Sequence, residues 1–482
     1  MKQMDIHWLL YLSIGLSKEK DPDLLLEMIL EAAMDLTVCD GGTLYIRTGD
    51  ELSFRTMITK SLGIYVNGKD NAVDMPPVPL TRKNVCACCA LDGELINLPD
   101  VYASERYDFS GAKQYDTLTG YRTKSMMAVP MENDYGDVIG VLQLINATSG
   151  GKTVAFDAEY ETVIRSIASQ AAICLTNMNY AAELSEQLDS FVKVMSEAID
   201  ARSPYNANHT RQMVKVGGQF IDWLSSTGRW VFSTAEKRQL ITSIWLHDVG
   251  KLVIPLEIMD KETRLGSRLE IVEQRYKIFK LANRVMWLEN RISDKEYLAR
   301  SRALNEENEL IHKANSMGFL DDSTMEQLAA LTCACHEGPD GGEIPALTGE
   351  ERDALMVRKG TLTEWERAIM ENHVVMTERI LSQMTFSRNY KKVTEWASAH
   401  HELLNGKGYP RKLAGESIPR EVRLITIVDI YDALTARDRP YKPSMPPEKA
   451  WAALRDMAQD GRLDRELVEL FIECVSREEF ET

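Results

Sequence analysis

Between Phe156 and Ser203 the chain has no glycine or proline, and apolar residues recur at steps of mostly three or four. They are Ile164, Ala168, Ala171, Leu175, Met178, Ala181, Leu188, Phe191, Met195 and Ile199. That spacing predicts one helix, a rod of roughly 70 Å at about 1.5 Å per residue. Its length favours a coiled-coil connector between two parallel copies over two shorter helices. Before it the pattern alternates. "DLLLEMILEAAMDL" has helical spacing, "GGTLYIRTGDELSFRTMI" predicts a hairpin at Thr48-Gly49-Asp50, and "SMMAVPMENDYGDVIGVLQLINA" another at Tyr135-Gly136-Asp137. Residues 1–155 therefore read as an α+β domain and 156–203 as a connecting helix. After Pro204 the pattern is almost wholly helical to residue 482, and the charge-rich stretch 262–350 reads as an inserted helical subdomain.

At 482 residues the chain exceeds one ordinary core, which agrees with this multidomain division. A net charge of −17 argues against a nucleic-acid or anionic-membrane binder, since both need a basic field. An enzyme acting on an anion would need local cations instead. No apolar run reaches the roughly 20 residues that span a bilayer. "HWLLYLSIGL" lacks a small-residue cleavage site and reads as a helix, so a cytoplasmic protein is expected. Of the eight cysteines, Cys86, Cys88 and Cys89 form one cluster and Cys333 and Cys335 another. Neither has the CxxC pairing of a structural zinc site, so small buried helix residues are the favoured reading over redox or metal sensing.

The order of elements in residues 1–155, with "ALDGELINLPDVY" and "VIGVLQLINA", resembles a GAF domain. The resemblance implies a small-molecule or redox sensor without identifying its ligand. Asn146, Phe156, Asp157 and Glu159 match the cyclic-nucleotide-binding pattern of such domains only in part, so that ligand is not inferred.

The chemistry concentrates further on. Of the eight histidines, five stand in distinctive settings on candidate helices after Pro204: His209, His247, His373, His400 and His401. Asp248 follows His247, and Asp429 sits in "LITIVDIYDALT". A lone helical histidine is most often structural. Five with two aspartates on successive apolar helices are costly to bury unpaired, so they point to a two-metal centre. With Asp248 bridging, they supply about eight of twelve octahedral positions, and an all-nitrogen-and-oxygen set suits Fe or Mn. Lys251, four residues after His247, is expected on the same helix face, placed to contact a phosphate or a leaving oxygen.

This ordered set closely resembles the HD-GYP family of cyclic-di-GMP phosphodiesterases, through "HDVGK", "KGTLTEWERAIMENH", "HHELLNGKGYP" and "DIYDALTARDRPYK". The resemblance implies an all-α HD-GYP domain over 204–482, metal ligation by the seven residues above, and catalytic roles for Asp248 and Lys251. It also implies that Lys251, Arg439 and Lys442 contact substrate and that Gly408, Tyr409 and Pro410 border the pocket. Gly406 and Gly408 would permit close approach or positive φ, and Tyr409 would stack on a guanine. Thr363 with Glu366 predicts a capping box opening the helix of His373.

The departures are specific. Ser203 and Asn206 replace the usual aspartate and threonine before His209, and Tyr205 stands where relatives with a third metal carry glutamate. "RPYK" lies one residue further from Asp429 than usual. His247 and His373 stand 126 positions apart, far more than the family spacing, and His312 and His336 within that gap are left out of the site.

The expected activity is hydrolysis of cyclic-di-GMP to pGpG and onward to GMP, regulated by the GAF domain in a homodimer joined through the connecting helix. Another cyclic dinucleotide such as cyclic GMP-AMP, or a non-catalytic cyclic-di-GMP receptor, are the alternatives.

Overall fold

Helix α1 (Pro22–Thr37) begins where the Asp21 carboxylate accepts a hydrogen bond from the Asp23 amide at 3.0 Å, and it stops at Val38 in the left-handed region. The computed structural model describes residues 19, 21–67, 76–110, 113, 116, 117, 120–203, 208–387, 390–436 and 444–477. The "HWLLYLSIGL" segment, Pro204, Tyr205, Asn206, Arg439 and Lys442 lie outside the described residues. The chain divides into two compact units, Met1–Gln187 and Leu188–Thr482.

In the first unit, β1 (Cys39–Thr48) and β2 (Glu51–Thr59) make the expected hairpin, with Thr48 paired to Glu51 and Gly49 at φ +62°. Strands β3 (Ile64–Asn67) and β4 (Val78–Pro79), helix α2 (Val85–Asp92) and β5 (Ile96–Leu98) follow. The second expected hairpin joins β6 (Met126–Glu132) to β7 (Val138–Ser149), and β8 (Lys152–Val154) closes the set. The antiparallel sheet runs β3-β2-β1-β7-β6-β5, with β4 on β2 and β8 on β7. Alternation along β6 sorts its two faces. Met127, Val129 and Met131 pack with α1, while Met126 and Ala128 pack with α2.

Cys86, Cys88 and Cys89 are buried in α2, and burial pushes their thiols up, Cys86 to about 12. They are inert core residues, as the favoured reading held. The second cluster differs: Cys333 and Cys335 are exposed and lie in no helix.

Helix α3 (Glu159–Asp200) is the connector, 42 residues without a break, so the alternative of two shorter helices is not what forms. The expected coiled-coil stripe needs correcting. Ile164, Ala168, Ala171 and Leu175 are buried in the core of the first unit, and Ile199 in a core of the second. A helical period finds the apolar face of a helix but not whether that face meets its own chain or another. Of the named stripe residues, Ala181 and Phe191 are exposed, Phe191 at 52%.

The second unit is built from α4 (His209–Ser226), α5 (Thr234–Leu246), a 3-10 turn (Val249–Val253), and α6 (Leu256–Met259). Segment 262–350 contributes α7 (Arg268–Leu288), α8 (Asp294–Ser316), α9 (Asp322–Leu331) and α10 (Gly349–Leu355). A two-stranded ribbon of β9 (Cys335–Glu337) and β10 (Glu343–Pro345) was not expected, since three-residue strands are too short to carry a readable alternation. The segment has its own core of Val272, Tyr276, Phe279, Leu304, Ile311, Leu328 and Leu355. It is fastened by two buried cations. Arg264 is fully buried and donates to the carbonyls of Val357 and Ala314, each at 2.7 Å, while Lys261 binds Glu366 at 2.7 Å.

Glu366 belongs to the expected capping box, which opens α11 (Glu364–Glu371) from Thr363. That helix stops at Asn372, and His373 instead opens the next one, α12 (His373–Leu381). Then come α13 (Val393–Ala397), α14 (Arg420–Thr435), α15 (Pro447–Gln459) and α16 (Arg465–Val475). Phe220, Leu224, Ile244, Ile425, Val428 and Phe471 form the core on which α4, α5 and α14 hold their polar side chains.

Candidate metal centre

His209 opens α4, and the other four histidines sit at or just past the C-terminus of a helix, where backbone carbonyls lack helical partners. His247 caps the C-terminus of α5, and its Nδ1 lies 2.7 Å from the Ile244 carbonyl. His373 makes the same contact with Met370 at 2.6 Å, and His400 with Ala397 at 2.7 Å. A carbonyl only accepts, so Nδ1 carries the proton in all three and Nε2 keeps its lone pair. Those three Nε2 atoms are buried without a hydrogen-bond partner, as is Oδ1 of Asp248. Leaving such atoms unsatisfied costs roughly 1–3 kcal/mol each.

The unsatisfied atoms converge. Asp248 Oδ2 lies 3.1 Å from His247 Nε2 and 3.6 Å from His209 Nε2, while Oδ1 lies 3.4 Å from His373 Nε2 and 3.9 Å from His400 Nε2. Asp429 straddles the opposite side, with Oδ1 3.5 Å from His209 Nε2 and Oδ2 3.7 Å from His401 Nδ1. Among the described residues, two groups of ligand atoms fall within 4.8 Å of one another: His373, His400 and His401, and His209, His247 and Asp248. Donors about 2.1 Å from one ion and at right angles stand roughly 3 Å apart, so this set fits divalent metal. The seven expected ligands are thus brought to one place. His312 and His336 are not; they pair with Glu273 and Glu307 inside segment 262–350.

The electrostatics agree with a ligand set held ready. Burial lowers the His373 imidazole to about 4 and drives His400 well below the ordinary value, with His401 shifted the same way. Burial also works against charge on His247, but the Asp248 carboxylate beside it more than offsets this and raises it. For Asp248 burial opposes ionisation, yet His247 and Lys251 outweigh it and hold the carboxyl well below its usual range.

A pH dependence follows for the metal-free protein. A histidine with a depressed pKa stabilises the fold fully above its unfolded value near 6.5 and loses that contribution as pH falls through the folded value. Stability should therefore fall between pH 6.5 and 4. His373 alone accounts for about 3 kcal/mol; His400 and His401 add to it, and His247 opposes it. Denaturant titrations across that range check the sign.

Lys251 needs a correction. It does not share a helix face with His247, because α5 ends at Leu246 and a 3-10 turn takes over. That turn brings Nζ to 2.6 Å from Asp248 Oδ2, an i,i+3 contact. Gly406 and Gly408 divide the expected roles. Gly406 has φ +73°, whereas a Cβ on Gly408 would stand 2.3 Å from the Leu403 amide nitrogen. Tyr409 sets its ring 4.8 Å from that of His401, and its peptide bond to Pro410 is cis.

Three supporting residues escaped the sequence reading. Glu402 is buried and accepts from the amides of Arg411 and Leu413 at 2.7 and 2.8 Å, which pins the loop after Pro410. Thr377 bridges the Gly250 amide and the His247 carbonyl. Asp432 places Oδ2 2.5 Å from Nδ1 of His209, the one nitrogen of this kind held by a carboxylate instead of a carbonyl. Its signal was present, since Asp432 follows Asp429 by three and shares its helix face. Asp432→Asn should weaken Mn binding by roughly 10–100-fold, the usual cost of losing such a carboxylate, as read by equilibrium dialysis.

A family model described as GAF domain matches residues 21–175, and one described as HD domain matches 299–467. The second begins after His209, His247 and Asp248, so that match does not include them, and the geometry joins them to the later histidines. The chain is 39% identical over 104 residues to 3'3'-cGAMP-specific phosphodiesterase 3 of Vibrio cholerae serotype O1, covering 22% of each chain. It is 38% identical over 111 residues to the cyclic di-GMP phosphodiesterase response regulator RpfG of Xanthomonas campestris pv. campestris, covering 23% of this chain and 28% of that one. The matches thus span under a third of either relative. The GAF domain of an Acinetobacter phosphoenolpyruvate-protein phosphotransferase aligns at a TM-score of 0.30 and 14% identity, over 38% of this chain and 99% of that one.

Proposed function

For a chain that carries a GAF domain followed by an HD domain, we propose a metal-dependent phosphodiesterase that hydrolyses cyclic-di-GMP to pGpG and onward to GMP. One observation carries the reading: three buried imidazole Nε2 atoms and a buried carboxylate oxygen converge without partners. His209, His247, Asp248, His373, His400, His401 and Asp429 would hold two divalent ions, with Fe or Mn suited to a set free of thiolates. When bound, such a pair supplies a water acidic enough to attack at neutral pH and positive charge to hold a phosphate.

The chain's own groups do the rest. Asp248 presents one oxygen to each ligand group and so fixes their separation. Lys251, 17% exposed beside it, is placed to neutralise charge on the phosphate or to give a proton to the leaving oxygen. Gly408, Tyr409 and Pro410 would border the substrate, and Arg439 and Lys442, outside the described residues, are the further residues assigned to it.

Regulation would enter through the end of the connecting helix. Arg202 donates to the Lys251 carbonyl at 2.7 Å and Asp200 accepts from Thr210, next to His209, at 3.1 Å. A shift of that end would move both a ligand and the lysine, and in a homodimer both copies would respond together.

A second substrate is favoured by the relative named for 3'3'-cGAMP. Anaerobic purification, metal analysis and product analysis on both dinucleotides decide. Faster turnover of cyclic-di-GMP supports the proposal, and the reverse order transfers it to cyclic GMP-AMP. Full activity of the His400→Ala, Asp429→Ala double variant, or absence of bound metal, would sink the site itself.

A further inference from the structure

Helix α7, the first of segment 262–350, is buried on one side only. Val272, Tyr276 and Phe279 sink into the segment's own core. On the opposite side Ile271, Ile278, Leu281, Val285 and Leu288 stand 57, 42, 60, 43 and 62% exposed. Scattered exposed apolar residues are ordinary, but these are in register. Taking Ile271 as position a of a heptad, the a positions are Ile271, Ile278 and Val285, and the d positions are Gln274, Leu281 and Leu288. In this register the helix holds two full heptads and the first four positions of a third.

We propose that this face of α7 binds the same face of a second copy of the chain, as a short parallel two-stranded coiled coil. The occupant follows from residue type and charge. β-branched residues at every a position with leucine at two of the three d positions favour two parallel strands, and Gln274 at the remaining d position adds one polar layer at a cost in stability. In that register position g of one helix meets the next e of the other. Arg284 then reaches Glu289 of the second copy, and both are exposed. Glu270 meets Arg275, again of opposite sign, although Arg275 also holds Glu351 at 2.6 Å. Ala282 at the remaining e position is small and buried, so it leaves room for Lys277 to approach. No like-charged pair arises. The contact is separate from any pairing of the connecting helix and gives segment 262–350 a function unrelated to the metal centre.

The test uses the full chain with Cys333 and Cys335 changed to serine. Leu281→Cys and Leu288→Cys should each form an interchain disulfide under mild oxidation, while Val231→Cys, at a site 72% exposed elsewhere on the unit, should not. Adding Ile278→Glu to the Leu288→Cys chain should cut the cross-linked fraction by roughly tenfold or more, with helical circular dichroism unchanged. A Leu288→Cys chain that cross-links no more than the Val231→Cys control overturns the proposal. Cross-linking at 281 without 288 marks an antiparallel contact and overturns it too, as does indifference to Ile278→Glu.

Discussion

Asp248→Asn is expected to lower cyclic-dinucleotide turnover by roughly a thousandfold or more, the rate equivalent of about 4 kcal/mol of transition-state stabilisation. It should also strip most bound metal. The side chain keeps its shape, so the fold should survive. What changes is that one arm becomes an N–H₂ group. Asp248 Oδ2 now serves His247 at 3.1 Å and Lys251 at 2.6 Å, and Oδ1 faces His373 at 3.4 Å. An amide must turn a donor towards one of these sides, against lone pairs or an ammonium, and it removes the negative charge that offsets two cations. Lys251→Met should lose turnover while keeping metal, which separates the two roles. Elemental analysis beside steady-state rates reads both, and a Asp248→Asn protein with metal and turnover intact would exclude Asp248 as the bridge.

Gly250→Ala should be nearly as damaging for a different reason. Gly250 does not need a positive φ; what it needs is the absence of a side chain. A Cβ there would stand 1.9 Å from the His373 carbonyl oxygen and 2.6 Å from the Thr377 amide nitrogen. Both obstacles are backbone, so neither can rotate away. The 3-10 turn and α12 must separate, breaking the Thr377 bridge between the Gly250 amide and the His247 carbonyl and pulling His373 away from Asp248. A loss of about 3 kcal/mol or more in unfolding free energy is expected, within the range of severe overpacking. Denaturant unfolding of the metal-free protein measures it, and a loss under 1 kcal/mol would contradict this crossing of backbones.

How far the sequence could be read depended on the range of each interaction. Hairpins at Gly49 and Gly136 and the unbroken connector rest on local periodicity and turn chemistry, and they form as expected. So does the capping box of Thr363 and Glu366. The seven residues expected as ligands were legible as a group because each is costly to bury and their order is distinctive, and the structure brings them to one place. Which way a helix turns its apolar stripe was not, since Ile164 and Leu175 meet their own sheet instead of another chain. Lys251 was placed on the wrong element because the one local mark of the change from α to 3-10 winding, Gly250, is a weak signal beside the apolar periodicity. Glu402 and Thr377 act through backbone amides and carbonyls, which leave no trace in side-chain spacing.

The clasp between Lys261 and Glu366 has a consequence for how this chain can be recombined. Thr361 Oγ1 also donates to the Lys261 carbonyl at 3.0 Å, so the residues that open and close the long segment touch each other. Everything between them leaves and returns at one point and carries its own hydrophobic core. The segment is therefore a cassette. A graft joining 261 to 361 through a few glycines can remove it, or exchange it for another helical module, without moving any of the seven clustered histidines and aspartates. Lineages could gain or lose it in a single event, and an engineer can use the same seam to mount a sensor beside the histidine cluster.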